Sequence, residues 1–501
     1  MVGKESRNRY YQFLISNHQK IFIFSIFIIG IVLRFITIGT REIAYDDAFS
    51  FFLSRGSLSN IIRGTAADTM PPLYYFLLHF WMKISADLWF LRLLNIFINL
   101  LTALLIYALT KELFNSTSAL VAIFLFLISP YQIYHSQELR MYAILLLGQV
   151  GFYYSFLKII RSSGKRMSLW YFAAVGFGLI AMYSHNLGII GLVPINIILL
   201  FCRNKKIVKS LFIVQFLILI FSIPWFYYLP QQLDKIQQAF WTQPPGMIDV
   251  FQSMLSLFAF LPMPPIFMGI ALIIVIQSIV MLGVYTFKSK VKKNYIVASL
   301  IFLPPIILFV LSYLIKPVFV PRIFIISSVW FFITFAAFIA KDLNNSLGKI
   351  NFLLFVSLSI FSLPYFYNFQ AFPRSSFKEL NNTLDQYGPQ MHLVHDNKLS
   401  FFPTMFYEER ENSYYLKDPK GSPNDTLAYP SQLAMGYIAS ENIEQFLNLD
   451  SLVFIVFQKT LDEYSENNLP HPVIEKLQKT YASVWSYAIG DIVVFEFGDK
   501  R

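Results

Sequence analysis

Long runs of apolar residues, separated by short polar segments, fill the chain as far as residue 369. A membrane-spanning helix needs about 20 mostly apolar residues, and about eleven runs meet or approach that length. The predicted spans are 20–39, 90–110, 118–134, 141–160, 169–185, 187–202, 210–229, 266–287, 295–315, 322–340 and 350–369. The first run is too long for a cleaved signal and lacks a small-residue cleavage site, so we expect a retained anchor. The pattern predicts a polytopic α-helical membrane protein.

The pattern changes after Phe369. Residues 372–501 carry charged and polar side chains at the density of a soluble domain. Short apolar runs in "HLVHDN", "LVFIVFQK" and "DIVVFEF" predict strands, and residues 472–480 predict a helix between them. We therefore expect two domains: a membrane domain over 1–371, with an outer loop at 40–89, and an α/β domain over 372–501.

Composition supports the membrane assignment. The chain has 501 residues, of which 56% are hydrophobic and 14% charged, whereas soluble domains carry roughly 25% charged residues. A single cysteine excludes an internal disulfide framework. The formal net charge is +11, but the basic residues lie in short clusters between apolar runs, as in polytopic membrane proteins. We therefore expect the lipid bilayer, and no nucleic acid, as a partner.

The segment 71–86, "PPLYYFLLHFWMKISA", decides the topology. Its apolar run is short for a span and is interrupted by His79 and Lys83. The basic segments should share the cytoplasmic side, and they do so only if 71–86 lies along the outer surface as an interfacial helix. Their basic residues are Lys4, Arg7, Arg9, Lys158, Arg161, Lys165, Arg166, Arg203, Lys205, Lys206, Lys209, Lys288, Lys290, Lys292 and Lys293. This orientation places the N-terminus in the cytoplasm and the C-terminal domain outside the inner or plasma membrane.

Several unusual polar segments then fall on the outer face. They are "YDDAF" at 45–49, "MPPLYY" at 70–75, "YHSQELRMY" at 134–142, "YSHN" at 183–186 and "KPVFVPR" at 316–322. Polar and charged groups at a membrane are energetically costly and are usually functional. These segments all lie at one membrane level. Their convergence predicts a functional site on the outer face.

Asp46 and Asp47 follow the first predicted span. A solvated loop or a helix cap accounts for such acids. In the catalytic alternative, one carboxylate acts as general base toward an acceptor hydroxyl or amine, while the other positions the acceptor. The next residues, "AFSFFLSRGSLSNIIR", are apolar at helical spacing and predict amphipathic interfacial helices. Such helices would hold the acidic pair over a lipid headgroup.

Two arginines at the outer ends of predicted spans are candidates for binding an anion. Arg140 either pairs with Glu138 or anchors the interface, or it binds phosphate, to which a guanidinium is suited. Arg322 follows Pro321 at the mouth of a span on the side where positive charge is disfavoured, so an anion ligand is favoured over an interface anchor. His185 is a hydrogen-bonded residue at a helix end, a polar donor or a metal ligand.

Other catalytic signatures are absent from the sequence, which has no HExxH, no CxxC and no glycine-rich phosphate loop. The predicted spans contain no Asp or Glu clearly near mid-depth. Acids at that depth are the usual mark of ion-coupled transport, so their absence from the sequence argues against a proton-driven carrier.

Three motifs in order, "AYDDAFSFFLSRG", "MPPLYYFLLHFWMKI" and "LISPYQIYHSQELRMYA", resemble the C-type (GT-C) glycosyltransferases of the protein O-mannosyltransferase and aminoarabinose-transferase superfamily, in particular the bacterial family 39-like type. The segments "LRLLN", "YSHNLG" and "PRIFI" extend the similarity. The match runs through residues 20–190 and is looser from there to 370. The resemblance implies a GT-C-like fold and a transferase that takes a sugar from a polyprenyl phosphate on the non-cytoplasmic face, normally with inversion at the anomeric carbon.

The resemblance also implies roles for residues of the first two motifs. Asp46 matches the acid taken as general base, and Asp47 stands where the relatives usually have Glu. The shorter side chain of Asp47 puts a metal-binding or positioning role there in doubt. Met70 replaces the usual His before Pro71 and Pro72. These prolines, with Tyr74 after them, are expected to shape the site rather than react.

In the third motif, Glu138, Arg140 and Tyr142 match the pattern residue by residue. Arg322 falls near a basic position that resembles the family's donor-phosphate contact. No cofactor is certain. A divalent metal ion is a candidate, with Asp47, Glu138 and His185 as its weak candidate ligands.

Two rival functions are left open. A flippase or carrier of lipid-linked sugars would use the arginines to hold a headgroup phosphate without any reaction, and a pseudoenzyme scaffold would not need Asp46. The C-terminal segment "HLVHDNKLSFFPTMFYEE", with His395, Pro403 and Tyr407, predicts a structural strand–helix unit, or one that presents or selects the acceptor. The acceptor is a lipid, a glycan or a protein.

Overall fold

The computed structural model describes residues 20–238, 244–256, 259, 263–315, 317–341, 346–368, 374–418 and 429–501. The chain divides into two compact units. The helical unit comprises Met1–Ile38, Trp89–Pro230 and Thr242–Phe372, and the sheet unit comprises Gly39–Leu88, Gln231–Trp241 and Pro373–Arg501. Residues 39–88, the predicted outer loop, therefore pack in the same unit as the C-terminal segment.

Apolar helices build the helical unit. Eight helices in the described part of the chain are long and apolar enough to cross a membrane. They are Leu88–Leu113, Tyr142–Arg161, Lys165–Ser184, Lys205–Phe226, Pro265–Ser289, Lys292–Leu314, Pro321–Lys341 and Gly348–Tyr367. The last of these is the apolar part of the helix Ser346–Tyr367, and Pro321–Lys341 begins with a 3-10 turn over Pro321–Phe324. The predicted polytopic helical fold is confirmed.

Three further predicted spans have a different form. Residues 20–35 are helical, and residues 1–19 lie outside the described part. The predicted span 118–134 is two helices, Ser116–Ile128 and Pro130–Gln137, which meet at a bend of 58°. The bend has a local cause, because Pro130 lacks an N–H and disfavours helical geometry in Ser129. The predicted span 187–202 is a shorter apolar helix, Asn186–Phe201, with 3-10 turns. The count of eleven spans stays a prediction.

Side-chain contacts bring the basic helix ends together at one end of the helical unit. Glu112 accepts hydrogen bonds from Lys158 Nζ (2.7 Å) and Arg161 Nη1 (2.5 Å). Lys293 Nζ donates to the Leu113 carbonyl at 2.6 Å. Tyr171 Oη donates to Ser210 Oγ at 2.6 Å, near the start of Lys205–Phe226. These contacts place the basic segments 158–166, 205–209 and 288–293 on one side, as the charge distribution predicts.

The sheet unit begins with three short helices, Tyr45–Arg55, Leu58–Ala67 and Leu73–Trp81. The last covers most of the deciding segment 71–86 but has only nine residues, whereas a span needs about 20. Further helices of this unit are most of Leu229–Gln238, and Phe377–Leu384, Lys398–Tyr407, Tyr429–Ala434, Gln458–Glu466 and Pro472–Thr480, whereas the helix Met247–Ser256 belongs to the helical unit. Single 3-10 turns lie at Asp385–Tyr387 and Ile443–Phe446.

Among the described residues of this unit, five strands form one mixed sheet. They are β1 (Leu393–His395), β2 (Ser413–Tyr415), β3 (Leu452–Phe457), β4 (Tyr481–Ile489) and β5 (Ile492–Lys500), in the order β2-β1-β3-β5-β4. β1 pairs in parallel with β2 and β3, and the other pairs are antiparallel. The strands expected at 392–397, 452–459 and 491–497 and the helix at 472–480 are present.

The sheet is buried on both faces because its central strand is apolar throughout. Along β3, Phe454 and Val456 pack into one core cluster, whereas Val453 and Ile455 pack into the other. This alternation is the period-two geometry of a strand. The sequence reading missed β2 and β4. β4 is an edge strand with a largely exposed pattern, and β2 has only three residues, too few for a periodic signal.

Candidate functional site

A ring of polar side chains lies at the end of the helical unit opposite the basic helix ends. The guanidinium carbon of Arg322 lies 5.6 Å from the ring centroid of Tyr142. The Tyr142 ring lies 6.2 Å from the His185 ring and 5.1 Å from the His135 ring. These residues come from three places in the sequence, which the fold brings together. We call Glu138, Arg140, Tyr142, His185 and Arg322 the arginine cluster.

Each member of the arginine cluster sits where a helix starts or ends. Glu138 and Arg140 lie in the turn between Pro130–Gln137 and Tyr142–Arg161, and His185 caps the end of Lys165–Ser184. Arg322 lies in the 3-10 turn before the helix Ile325–Lys341. Side chains at helix ends can reach the membrane boundary while the helix interiors stay apolar.

The turn at 138–140 is held in place from a neighbouring helix. Asn95 Nδ2 donates to the backbone carbonyls of Glu138 and Arg140, the latter at 2.9 Å. Asn95 is fully buried, so these bonds satisfy groups that would otherwise be costly to bury. The Arg322 turn is held similarly, since Tyr131 Oη donates to the Pro321 carbonyl at 3.2 Å.

His185 is an uncharged imidazole in this setting. Burial, and then the positive charges of Arg140 and Arg322, lower the pKa of His185 to about 3. Its Nδ1 accepts a hydrogen bond from the Leu187 N–H at 3.0 Å, so the ring proton lies on Nε2. The effect of both arginines on this pKa means that the two guanidinium groups and a neutral imidazole donor share one electrostatic environment.

Glu138 and His135 form a buried hydrogen-bonded pair on the edge of the cluster. Glu138 Oε2 lies 2.8 Å from His135 Nδ1. Burial alone would raise the pKa of Glu138, but the hydrogen bond and charge of His135, with further contributions from Tyr134 and Arg322, hold that pKa at about 2. Glu138 is therefore ionised, and His135 is a partner that the motif reading missed. The spacing of "HSQE" was the available signal, because residues three apart face the same side of a helix turn.

The arginine cluster has the chemistry of an anion site. Arginine side chains carry a permanent charge and a planar set of donors that matches phosphate oxygens. The ring of Tyr142 lies against one of them, and an aromatic face orients a guanidinium without consuming its N–H donors. Both predicted donor-phosphate residues, Arg140 and Arg322, belong to this cluster. Lys316 of the "KPVFVPR" segment lies outside the described residues.

The predicted catalytic acids belong to the sheet unit. Asp46 and Asp47 occupy the first turn of Tyr45–Arg55, where the positive end of the helix dipole stabilises carboxylates. Asp47 is 2% exposed, whereas Asp46 is half-buried and has the more accessible side chain. Burial, and then the carboxylates of Asp46, Asp68 and Asp418, raise the pKa of Tyr45. The sequence reading missed Asp68 and Asp418, which lie far apart along the chain.

The "MPPLYY" motif is a structural element of the same unit. Pro71 and Pro72 are buried, and Pro72 precedes the first residue of Leu73–Trp81. Tyr74 and Tyr75 are fully buried, with ring centroids 5.9 Å apart. Tyr75 packs with Phe49 and Leu53 of the helix that carries the acids. Tyr75 thus supports the helix that carries the acids, and the shaping role of Pro71, Pro72 and Tyr74 stays a prediction.

Within the described residues, no group of three or more His, Cys, Asp or Glu side chains could hold a metal ion. The metal-ligand role considered for Asp47, Glu138 or His185 therefore finds no complete ligand set in that part of the chain. A divalent metal enters none of the steps proposed below.

Part of the chain matches a known protein family. Residues 69–228 match the dolichyl-phosphate-mannose-protein mannosyltransferase family. The match includes the "MPPLYY" and "YHSQELRMY" motifs and His185. No curated protein sequence matches the chain. The resemblance read from the motifs is confirmed over this part of the chain.

The fold is similar to those of solved membrane enzymes. ArnT from Cupriavidus metallidurans, in the apo state and bound to undecaprenyl phosphate, superposes with a TM-score of 0.63 at 11% sequence identity, over 95% of this chain and 97% of that chain. The archaeal oligosaccharyltransferase AglB from Archaeoglobus fulgidus, in complex with an inhibitory peptide and a dolichol-phosphate, superposes with a TM-score of 0.50 at 11% identity, over 94% of this chain and 74% of that chain. The GT-C fold is therefore present. Together these findings support a membrane glycosyltransferase of the GT-C type.

Proposed function

We propose that this protein transfers a sugar from a polyprenyl-phosphate donor to an acceptor on the extracytoplasmic face of the membrane. The observation that carries the proposal is the arginine cluster, in which Arg322 lies 5.6 Å from the Tyr142 ring, that ring lies 6.2 Å from His185, and Arg140 is in the turn directly before Tyr142. Two permanent cations at the ends of apolar helices suit a lipid-bound phosphate, because the lipid tail stays in the apolar layer while the phosphate meets the guanidinium groups.

The similar structures favour a polyprenyl donor. ArnT has been solved with undecaprenyl phosphate and AglB with a dolichol-phosphate, and both superpose over at least 94% of this chain. A polyprenyl-phosphate sugar already contains an activated leaving group. The enzyme then needs to deprotonate the acceptor, hold it in line and stabilise the charge that develops on the phosphate.

In the proposed reaction Asp46 is the general base. Its carboxylate takes the proton of the acceptor hydroxyl or amine as that atom attacks the anomeric carbon. The bond from this carbon to the phosphate oxygen breaks, and its electron pair leaves with the polyprenyl phosphate, whose charge Arg140 and Arg322 stabilise. Attack from the face opposite the phosphate inverts the anomeric carbon. Asp47, which is buried beside the base, positions the acceptor or the base itself.

The charged ends of the helical unit support the proposed orientation in the membrane. The basic segments 158–166, 205–209 and 288–293 lie at one end, and short basic loops favour the cytoplasmic side. The arginine cluster lies at the other end and is therefore assigned to the extracytoplasmic face of the inner or plasma membrane, with the acceptor being a lipid, glycan or protein found there.

A reconstituted transfer assay tests the proposal. Purified protein in nanodiscs is mixed with undecaprenyl-phosphate sugars labelled in the sugar and with cell-envelope lipids, glycans and proteins as acceptors. The proposal requires release of undecaprenyl phosphate together with label in an acceptor, and loss of both in the Asp46→Asn variant. Movement of intact labelled donor across proteoliposome membranes, without release of undecaprenyl phosphate, would instead establish the carrier function.

A further inference from the structure

A groove with a volume of about 400 Å³ lies within the sheet unit. Its walls come from the helix Lys398–Tyr407, the edge strand β2 and the loop around Tyr437. Small-molecule sites in proteins typically occupy about 300–1,000 Å³. The groove is therefore large enough for a small ligand, and neither the proposed base nor the arginine cluster lines it.

Three aromatic rings form one wall of the groove. Phe401 and Tyr415 have ring centroids 4.6 Å apart, and Tyr437 lies 5.7 Å from Phe401. Tyr437 also packs edge-on against Phe52, with centroids 5.3 Å apart. Aromatic rings held by several neighbours present a rigid apolar surface. A ligand for this wall needs an apolar face of its own.

Next to this wall lies a buried hydroxyl that lacks a partner. Ser413 lines the groove and is 9% exposed, and its Oγ has no hydrogen-bond partner in the described part of the chain. Ser413 and Tyr415 point to the same face because they are two residues apart on β2. Buried hydroxyl groups are normally hydrogen-bonded. A ligand that carries hydroxyl groups of its own would satisfy Ser413.

Both arginines at the rim are paired with carboxylates of the protein. Arg55 is paired with Glu409 and donates to Tyr437 Oη at 3.4 Å. Arg410 is paired with Glu408 and, at 2.5 Å, with Asp385. Glu411 also lines the groove, so four carboxylates face two arginines and the rim has a net negative charge. This charge disfavours a phosphate. The aromatic wall and the Ser413 hydroxyl favour a polyhydroxylated ligand that has an apolar face.

We propose that this groove binds a neutral sugar ring of the glycosyl acceptor. A pyranose has an apolar face of C–H groups that packs on aromatic rings, and hydroxyl groups at its edge that pair with Ser413 and the rim. The proposal rests on the proposed transferase function. Arg55, which pairs with the lining residue Glu409, ends the helix Tyr45–Arg55 that carries Asp46. Nine residues of helix at 1.5 Å each separate Arg55 from Asp46 by about 14 Å. The groove therefore holds a part of the acceptor that does not react.

The test measures sugar binding in the absence of donor, so it is independent of transfer. The full-length protein in nanodiscs is titrated with mannobiose, cellobiose and N,N′-diacetylchitobiose, and binding is followed by saturation-transfer NMR. We expect at least one disaccharide to bind saturably. Ser413→Ala should weaken that binding about 2- to 10-fold through loss of one hydrogen bond, and Tyr437→Ala should weaken it about 3- to 10-fold through loss of the ring.

Stability and matched controls separate binding from folding. Ser413→Ala removes a hydroxyl without a partner in the described part of the chain, so the melting temperature should not fall. Trp485→Ala removes an exposed aromatic ring from β4, at the opposite edge of the sheet, and should leave binding unchanged. Absence of saturable binding by all three sugars, or equal binding by wild type and Ser413→Ala, would overturn the proposal. So would binding of the peptide Gly-Ser-Thr-Gly with the same sensitivity to Ser413→Ala. Failed transfer with intact sugar binding would instead count against the transferase function alone.

Discussion

The guanidinium of Arg322 lies over the face of Tyr142, with 5.6 Å between the guanidinium carbon and the ring centroid. The contact joins the start of Pro321–Lys341 to the start of Tyr142–Arg161, two segments far apart in the sequence. Cation–π contacts contribute about 0.5–2 kcal/mol. Here the contact also fixes the plane of the guanidinium. We infer that Tyr142 orients Arg322 for phosphate, and this inference gives the first prediction.

Arg322→Lys should lose more activity than its retained charge suggests. A lysine keeps the positive charge but loses the planar pair of donors and the stacking on Tyr142. We expect the apparent KM for the lipid-linked sugar to rise about tenfold, which corresponds to about 1.4 kcal/mol, and Arg322→Ala to be at least as impaired. Steady-state kinetics of transfer, with donor as the varied substrate, provide the measurement.

Lys341→Ala is the matched control for Arg322. Lys341 ends the same helical segment at the basic end, where it lies 5.4 Å from the Tyr285 ring. Both sites thus carry a cation over a tyrosine, but only one belongs to the arginine cluster. Lys341→Ala should leave the KM for donor unchanged. If Arg322→Ala also leaves kcat and KM unchanged, Arg322 is an interface anchor only.

The buried imidazole of His185 makes stability depend on pH. Its pKa is about 3 in the fold, compared with about 6.5 in an unfolded chain. Between these values the unfolded chain binds a proton that the folded chain does not, so stability falls as pH falls from 6.5 toward 3. The slope is up to about 1.4 kcal/mol per pH unit. Glu138, whose pKa is lowered to about 2, contributes stability that is fully present above pH 4.5 and is lost progressively as pH falls from 4.5 to 2.

His185→Asn should flatten the pH dependence between 6.5 and 4.5. The Asn Oδ1 can still accept the Leu187 N–H bond that His185 Nδ1 accepts, but it cannot take up a proton. His395 in the sheet unit is also buried, with its pKa lowered to about 3, and it will leave a residual slope. Melting temperatures of wild type and variant, measured from pH 4.5 to 8, provide the test. The two plots of melting temperature against pH should run parallel above pH 7 and diverge below it. If they run parallel over the whole range, the prediction is wrong.

The arginine cluster could be predicted in part because charged residues are conspicuous in an apolar chain. Arg140, Arg322 and His185 stand out at the ends of hydrophobic runs, and the fold brings them together. The residues that hold them do not stand out in the same way. Asn95 holds the turn by donating to two backbone carbonyls. Every residue has a backbone carbonyl, so the sequence does not indicate which ones accept these bonds. Contacts between a side chain and a distant backbone therefore need the structure.

The grouping of residues 39–88 with the C-terminal segment was also beyond sequence reasoning. Hydropathy separates apolar from polar segments, but it does not say which polar segments pack together. The contacts are specific: Phe51 packs edge-on against Phe406 at 4.8 Å, and Ser431 Oγ donates to the Gly64 carbonyl at 2.9 Å. The bend after Ile128 was not predicted either, although a signal was available, because Ser129 is a helix cap and Pro130 follows it at the first helical position.

The membrane orientation gives a prediction that does not depend on catalysis. In a Cys202→Ser background, single cysteines at Asn60 and Trp485 should react with an impermeant maleimide in intact cells. Cysteines at Ser162, Lys205 and Lys290 should react only after the membrane is opened. The reason is that the basic helix ends share one side and favour the cytoplasm. Labelling at position 290 but not at 60 in intact cells would reverse the orientation.

The proposed base gives the prediction closest to the chemistry. Asp46→Asn keeps the size of the side chain but cannot accept a proton. A general base contributes about 10²- to 10⁴-fold to rate, so kcat for transfer should fall by about that factor. Donor binding should persist, because the donor phosphate is assigned to the arginine cluster. Asp47→Asn should reduce kcat less, since Asp47 is 2% exposed and is assigned a positioning role.

The control for Asp46 is an acid in the same local setting without the proposed role. Asp249 lies in the first turn of Met247–Ser256, and its Oδ2 accepts the Gly246 N–H at 2.7 Å. Asp249→Asn loses a similar interaction with a helix dipole and should leave transfer unchanged. Single-turnover transfer and donor binding are measured side by side for all three variants in nanodiscs. Near-normal transfer by Asp46→Asn with an inactive Asp47→Asn would exchange the two roles. Near-normal transfer by both variants would remove the carboxylates from the mechanism and favour the carrier.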